Sequence, residues 1–511
     1  MAAVATLVQQ DGVLYRDAVD HHAPLSDYIY AATFFVGGRY NMFALRLVLT
    51  GLIIVVVLAV YGLGRLAIGR RGGLFAALLF AVLASFAYTT REMYAFHTEW
   101  TVILFTSLGS LLLARSAIGD RHPAWAFVGG CCFGLAVFSK QPAAVDLLAA
   151  LLFLAYLGVL AVKREERGGV GRAVKMVVML LAGVVAVSLA VAAFFHAVGA
   201  WDEFVFQFYT YNADYYVVSV PLIERLLGSR HDFFNAGEPF NLAALATMGV
   251  ILVLLPLLRR SSRTKRRRHP AQVFLVLWAT ASFVAAAMSG RLFPHYYIQL
   301  LPSWCLLGGL ALQHFSEIVE AAAAKSRPIV AGRIRATAWL LMGLLIWMPG
   351  MAVQNGALLY RHWAHPDPAI VQAAEYIRQH SDADEKIFVW GFLPDVYVLS
   401  DRVPASRYTF CNWLTGLIPW TNADPRIDTS DKIVPGSWET LMKELQTNRP
   451  VFIVDTTPGD YLRYIKYPID KFPLLQRFVA EHYEPVGEFP DSAEKVMIRV
   501  YRMVGSPPPP E

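Results

Sequence analysis

Charge is scarce in this sequence. Charged residues make up 16% of the 511 positions, where a soluble chain of this length carries about a quarter. Cysteine is scarce too. Cys131 and Cys132 sit inside one apolar run, Cys305 inside another, and Cys411 stands alone, so no spacing points to a metal knot or a disulfide framework. There is no glycine-rich phosphate loop and no internal repeat. No cleavable signal peptide is visible at Met1, and the first 25 residues hold no run long enough to cross a bilayer. The net charge of +6 comes from Lys and Arg gathered in short loops, which reads as a topology signal and not as a nucleic-acid footprint.

Long apolar runs are what the sequence has in their place. Hydrophobic residues reach 56% and the mean hydropathy is +0.44. Runs at 43–63, 74–90, 99–117, 124–139, 142–162, 174–198, 239–258, 271–289, 298–317 and 337–354 are each near the length a helix needs to cross about 30 Å of hydrocarbon. The fold class expected is therefore a polytopic α-helical membrane protein with about ten transmembrane helices. The run at 28–38 is too short to span and reads as an interfacial helix ending at Gly37-Gly38.

The basic residues orient it. Arg259–His269, RRSSRTKRRRH, marks the cytoplasmic side, and Arg65/Arg70/Arg71, Arg115/Arg121, Lys163/Arg164/Arg167 and Lys325/Arg327/Arg333/Arg335 fall on that side with it. The expected extracytoplasmic side then holds residues 1–40, the loops at 89–99 and 199–238, the turns at Lys140-Gln141 and 291–297, and everything after about 355. From about 360 the chain becomes polar. KIFVW (386–390) and PVFIVD (450–455) read as strands, 495–501 is strand-like, and 367–380, 438–446 and 472–481 read as helices. Alternating strands and helices predict a C-terminal α/β extracytoplasmic domain. The expected division is a membrane domain at 1–355, the α/β domain at 356–505 and a disordered proline-rich tail at 506–511.

Polar residues at the ends of apolar runs are the candidate site. One cluster is Asp17, Asp20, His21 and His22 in DGVLYRDAVDHHAPL, which also reads as a solvated loop. A second is Arg91, Glu92, His97 and Glu99 in REMYAFHTEW, otherwise a snorkelling helix end. A third is Lys140 with Gln141 in a tight turn between apolar helices, where a lysine is costly unless it meets an anion. The fourth is Arg291, His295, Tyr296, Tyr297 and Gln299 in RLFPHYYIQLLP. Cations at Arg91, Lys140 and Arg291 suit a lipid phosphate. A carboxylate at Asp17, Asp20 or Glu99 suits removal of a proton from an acceptor hydroxyl. Together they fit group transfer from a lipid phosphate at the bilayer surface.

The order YRDAVDHHAPL, FHTEW, FSKQPA, RLFPHYYIQLLP resembles the bacterial polyprenyl-phosphate-dependent glycosyltransferases of the GT-C class, relatives of the protein O-mannosyltransferases and of the lipid A aminoarabinose transferase. VWGFLPDVYVLSDRVPASRY resembles the entry into the extracytoplasmic domain of such proteins. The resemblance implies a multi-pass inner (plasma) membrane enzyme that moves a sugar, with inversion, from a polyprenyl-phosphate donor to an envelope glycan, lipid or protein. Membrane lipid is its surrounding and nucleic acid is no partner. It implies Asp17, Asp20 and Glu99 as catalytic candidates. It implies His21, His22, Arg91, His97, Lys140, Gln141, Arg291, His295 and Tyr296 as binding candidates. In the family pattern a spanning helix and an acidic residue precede the stretch that MAAVATLVQQDGVLY resembles, so both are expected before Met1, with Asp17 or Asp20 as the alternative base. The candidates form no tight ligand set, and the resemblance implies that the reaction can run without a catalytic ion, with a divalent cation left open as a cofactor. Arg402, Arg407 and Tyr408 are acceptor-side candidates, against a plain packing role. A transporter or flippase for a lipid-linked sugar, and a non-catalytic envelope-assembly protein, are the other readings. The first would predict an internal repeat and polar residues at mid-membrane.

Overall fold

The structure is a computed structural model. It describes residues 1–86, 93–118, 122–215, 220–235, 240–258, 269–288, 290–291, 293–346, 367–419, 421–491 and 493–505. Arg91, Glu92, Arg121, the basic loop at 259–268, the segment at 347–366 and the tail at 506–511 lie outside the described residues.

Each of the apolar runs carries helix. Five helices, Met42–Ala67, Thr98–Ala117, Gln141–Lys163, Gly169–Ala197 and Pro270–Ala287, are long and apolar enough to cross a membrane among the described residues. Arg70–Phe86, Ala124–Val137, Phe240–Leu258, Leu301–Ala324 and Pro328–Ile346 are further helices of the same apolar character. The chain packs as two compact units. One is Arg46–Ala193 with Ser219–Tyr360, and the other is Met1–Leu45 with Phe194–Val218 and Arg361–Glu511. The packing thus groups the first residues and the 194–218 segment with the C-terminal chain, a different line from a single division near 355.

The helical unit is held by close backbone approach. A Cβ on Gly130 would stand 1.9 Å from the carbonyl oxygen of Leu180, and one on Gly183 would stand 2.1 Å from that of Phe127. Glycine lets Ala124–Val137 and Gly169–Ala197 touch main chain to main chain, which in lipid replaces the missing hydrophobic drive between helices. On the far face of Gly169–Ala197, Val174, Val178, Leu181, Val185 and Leu189 are exposed at helical spacing, as side chains facing lipid must be.

The other unit is mixed. Strands β1 (Lys386–Trp390), β2 (Val403–Pro404), β3 (Phe452–Asp455), β4 (Tyr483–Pro490) and β5 (Val496–Met503) form one sheet in the order β2-β1-β3-β5-β4. β1 pairs in parallel with β2 and β3, and β5 runs antiparallel to β3 and β4. Helix Pro368–Gln379 starts where Asp367 accepts from the Ala369 N–H, a side-chain cap on an otherwise orphan donor. One core joins Val19 and Tyr211 to Phe388, Trp390, Trp413 and Ile453. The first loop is pinned to it: Val19 N–H donates to Arg407 O at 3.0 Å, and Arg39 pairs with Asp401 at 2.8 Å. Helix Pro24–Gly37 begins with a proline preset for the first turn and ends at Gly38, whose φ of +97° few other residues adopt.

The three acceptor-side candidates are each engaged by neighbours within this unit. Arg402 is 4% exposed and its guanidinium donates to the carbonyls of Arg378, Ser381, Ser400 and Asp401. Arg407 pairs with Glu444 at 2.6 Å, and Tyr408 lies in the core.

Candidate functional site

In the helical unit the chain brings His97, Glu99, Lys140, His295 and Tyr296 together. His97 is the extended residue before helix Thr98–Ala117, and Glu99 sits in that helix's first turn, where its carboxylate meets the positive end of the helix dipole. Lys140 is extended between Ala124–Val137 and the 3-10 turn Gln141–Ala143. Its ammonium forms an ion pair with Glu99, which is 1% exposed. The same ammonium stands 3.4 Å from the ring centroid of Tyr296, a cation–π contact. Tyr296 and His295 both come from the 3-10 helix Pro294–Leu300. The His295 ring stacks on that of His97 at 4.1 Å, with 4° between planes. Gln141 opens the turn after Lys140, and Arg291 is half-buried just before the Pro294 helix. The result is one ammonium and two imidazoles around one buried carboxylate, a set suited to an anionic headgroup. His97, Glu99 and His295 also each offer a ligand atom within 4.8 Å of the others.

In the mixed unit the loop of residues 11–25 is folded around Asp20. Asp20 is 3% exposed. Its Oδ1 accepts from the His22 main-chain N–H at 2.9 Å and lies 2.5 Å from His22 Nδ1 and 3.7 Å from His21 Nδ1. The two imidazole rings are 4.2 Å apart. Burial pushes the Asp20 carboxyl up, but the charge and hydrogen bond of His22, with His21 behind them, hold it well below the usual carboxylate range. His22 is held up by the same contact, which outweighs its own burial.

The loop is clamped from a distant stretch of chain. Gln207, in the π-helical turn Phe206–Thr210, accepts from Asp20 N–H at 3.1 Å and donates to Tyr15 O at 2.5 Å. Such π turns concentrate at functional sites. Asn212 donates to His21 O at 2.8 Å, and the Tyr15 hydroxyl donates to His22 O at 2.8 Å. Replacing Gln207 with Leu strands the Asp20 N–H and the Tyr15 carbonyl, at a cost of about 1–3 kcal/mol per buried group. The expected result is faster amide exchange across residues 15–22 with exchange in β1 and β3 unchanged, read by hydrogen–deuterium exchange.

Asp17 stands apart from this cluster. It is half-exposed, pairs with Arg16 at 2.8 Å, and accepts the Val13 N–H at 2.8 Å, which closes the turn that leads into the loop.

Asp27 is a residue the sequence did not single out. It sits in the first turn of Pro24–Gly37 and is 0% exposed, with neither carboxylate oxygen hydrogen-bonded among the described residues. Burial, then the nearby charge of Asp20, pushes its carboxyl up to about 8. Asp146 in helix Ala144–Lys163 is another missed acid. It is buried against the Ser282 hydroxyl at 3.0 Å and the Gln299 amide at 2.6 Å. An acid inside an apolar run was the available signal for Asp146. For Asp27 the sequence carried none, because an acid in a first turn is ordinary.

The sequence profile described as dolichyl-phosphate-mannose-protein mannosyltransferase matches residues 21–191. No curated protein sequence matches. The fold is similar to that of ArnT from Cupriavidus metallidurans bound to undecaprenyl phosphate, at 14% identity and a TM-score of 0.58 over 100% of this chain and 94% of that one. The apo form of that protein gives 14% identity and 0.57 over 98% and 92%. The Archaeoglobus fulgidus oligosaccharyltransferase tethered to an acceptor peptide with the NVT sequon gives 13% identity and 0.52, over 95% of this chain and 67% of that one. At these identities the likeness shows that this chain shares the fold of those proteins.

Proposed function

We propose, with the GT-C fold as premise, that this chain transfers a sugar from a polyprenyl-phosphate donor to an acceptor outside the cytoplasm, with inversion at the anomeric carbon. The observation that carries the reading is the buried Glu99–Lys140 pair with His97, His295 and Tyr296 around it. Lys140 and the two imidazoles bind the lipid phosphate, and they stabilise it most as negative charge develops on the leaving group. Glu99 holds Lys140 in place. The acceptor hydroxyl gives up its proton to a carboxylate base as it attacks. The acceptor oxygen bonds to the anomeric carbon, the bond to the phosphate oxygen breaks, and the polyprenyl phosphate leaves with its electron pair. In this reading about ten helices span an inner (plasma) membrane and both clusters face outward.

The test is incubation of membranes containing the chain with a broad panel of labelled polyprenyl-phosphate sugars. Release of free polyprenyl phosphate, matched by labelled acceptor of opposite anomeric configuration, is the expected result. Flipping of an intact lipid-linked sugar with no transfer would replace this reading with transport.

A further inference from the structure

We propose that Asp146 is a positioning residue for the Lys140 cluster. It holds the turn that carries His295 and Tyr296 against the chain that follows Lys140. The inference rests on the reading of that cluster as the donor-phosphate site.

The cluster is assembled from short pieces of chain. His295 and Tyr296 come from the 3-10 helix Pro294–Leu300, and Lys140 is the extended residue before the 3-10 turn Gln141–Ala143. A 3-10 turn has poorer hydrogen-bond geometry than an α-helix, so neither piece is rigid by itself. The contacts inside the cluster are an ammonium over a ring and two stacked imidazoles. These reward a placement already made and are too weakly directional to impose it.

Asp146 supplies the placement. It sits in the first turn of Ala144–Lys163, just beyond the Gln141–Ala143 turn, and is 1% exposed. Its Oδ2 accepts from Gln299 Nε2 at 2.6 Å, and Gln299 belongs to the same 3-10 helix as His295 and Tyr296. Its Oδ1 accepts from Ser282 Oγ at 3.0 Å, on helix His269–Ala287. Gln299 and Ser282 are themselves buried. One side chain therefore fixes the two halves of the cluster to each other and to a third helix. An acid inside an apolar run is costly, and such acids concentrate where function needs them.

The link needs two hydrogen bonds and no charge. An asparagine at this position keeps both. Its oxygen accepts from Gln299, and its amide donates to Ser282 Oγ, whose own proton turns to Trp278 O at 2.9 Å. A leucine keeps neither.

The test uses the full chain in detergent and two readouts. The first is transfer per folded molecule. Asp146→Leu and Gln299→Leu each lower kcat about 10²-fold, the size of effect that a small misplacement of a reacting group produces, while KM for the acceptor stays unchanged. Asp146→Asn keeps kcat within about threefold of the wild type. The double variant Asp146→Leu/Gln299→Leu loses no more than either single one, because the two residues act through one contact. The second readout needs neither donor nor acceptor. A 3-fluorotyrosine placed at Tyr296 reports the Lys140 ammonium over its ring through its fluorine resonance. Asp146→Leu and Gln299→Leu shift that resonance toward its position in Lys140→Met, and Asp146→Asn leaves it in place. If Asp146→Leu fails to fold, Gln299→Leu, which leaves the Ser282 bond intact, carries both readouts. A resonance unmoved in the leucine variants overturns the proposal, as does wild-type kcat in them or a loss in Asp146→Asn equal to that in Asp146→Leu. Absence of transfer from any donor in the wild type removes the transferase reading instead, and the resonance then still decides whether Asp146 places Tyr296.

Discussion

Lys140→Met lowers stability by about 3–5 kcal/mol, and adding Glu99→Gln restores most of it, while sugar transfer stays lost in both. The first effect follows from burial. Glu99 is 1% exposed and its ion-pair partner is Lys140, so removing the lysine alone strands a charge inside the protein. Removing both charges removes the penalty. Transfer behaves differently, because in the proposed reading the ammonium is the group that meets the lipid phosphate. Loss of such an electrostatic contact lowers turnover by about 10²–10³-fold. Thermal unfolding in detergent and the transfer assay separate the two effects. A stable double variant with wild-type transfer would remove Lys140 from the donor site.

Arg402→Ala unfolds the mixed unit at far lower denaturant than the wild type, and Arg402→Lys does not rescue it. Arg402 Nε donates to Ser381 Oγ at 2.8 Å, and its two terminal nitrogens serve four main-chain carbonyls. Each carbonyl left without a donor costs about 1–3 kcal/mol. Lysine offers one point of donation on a flexible stem and cannot span the fork. Limited proteolysis is expected to cut the variant between residues 378 and 402 while the helical unit stays intact. If Arg402→Ala instead keeps wild-type stability and loses only acceptor binding, the guanidinium is a ligand group after all.

The helices were legible because a membrane demands long uninterrupted apolar runs, and nothing else in this chain imitates them. The buried strands were legible for a related reason. KIFVW and PVFIVD are short apolar runs between polar segments, and they hold β1 and β3 at the centre of the sheet. β4 was not legible. Its sequence YEPVGEFP carries two prolines, a glycine and two acids, and it lies at the sheet edge, where those residues are tolerated and little is buried.

Part of the site followed from cost. A lysine in a tight turn between apolar helices needs an anion, and Glu99 is that anion, 41 positions away. The clamp on Asp20 did not follow. Gln207 lies 187 positions from Asp20 in a segment that reads as loop, and no local pattern says that a glutamine there reaches back to residue 20. Asp27 was missed because its burial comes from chain that packs over it, not from its own neighbours.

Asp146 has a consequence for how the protein is made. Its partner Gln299 is 153 residues further along the chain. At synthesis rates of about 5–20 residues per second, the ribosome delivers that partner roughly 8–30 s after Asp146 itself. During that interval the helix Ala144–Lys163 must hold a carboxyl group with no partner beside lipid, where an unmatched acid costs about 2.5–3.5 kcal/mol. Assembly of this bundle therefore waits on translation: the early hairpin stays loosely committed to the bilayer until the last third of the helical unit arrives and closes over it.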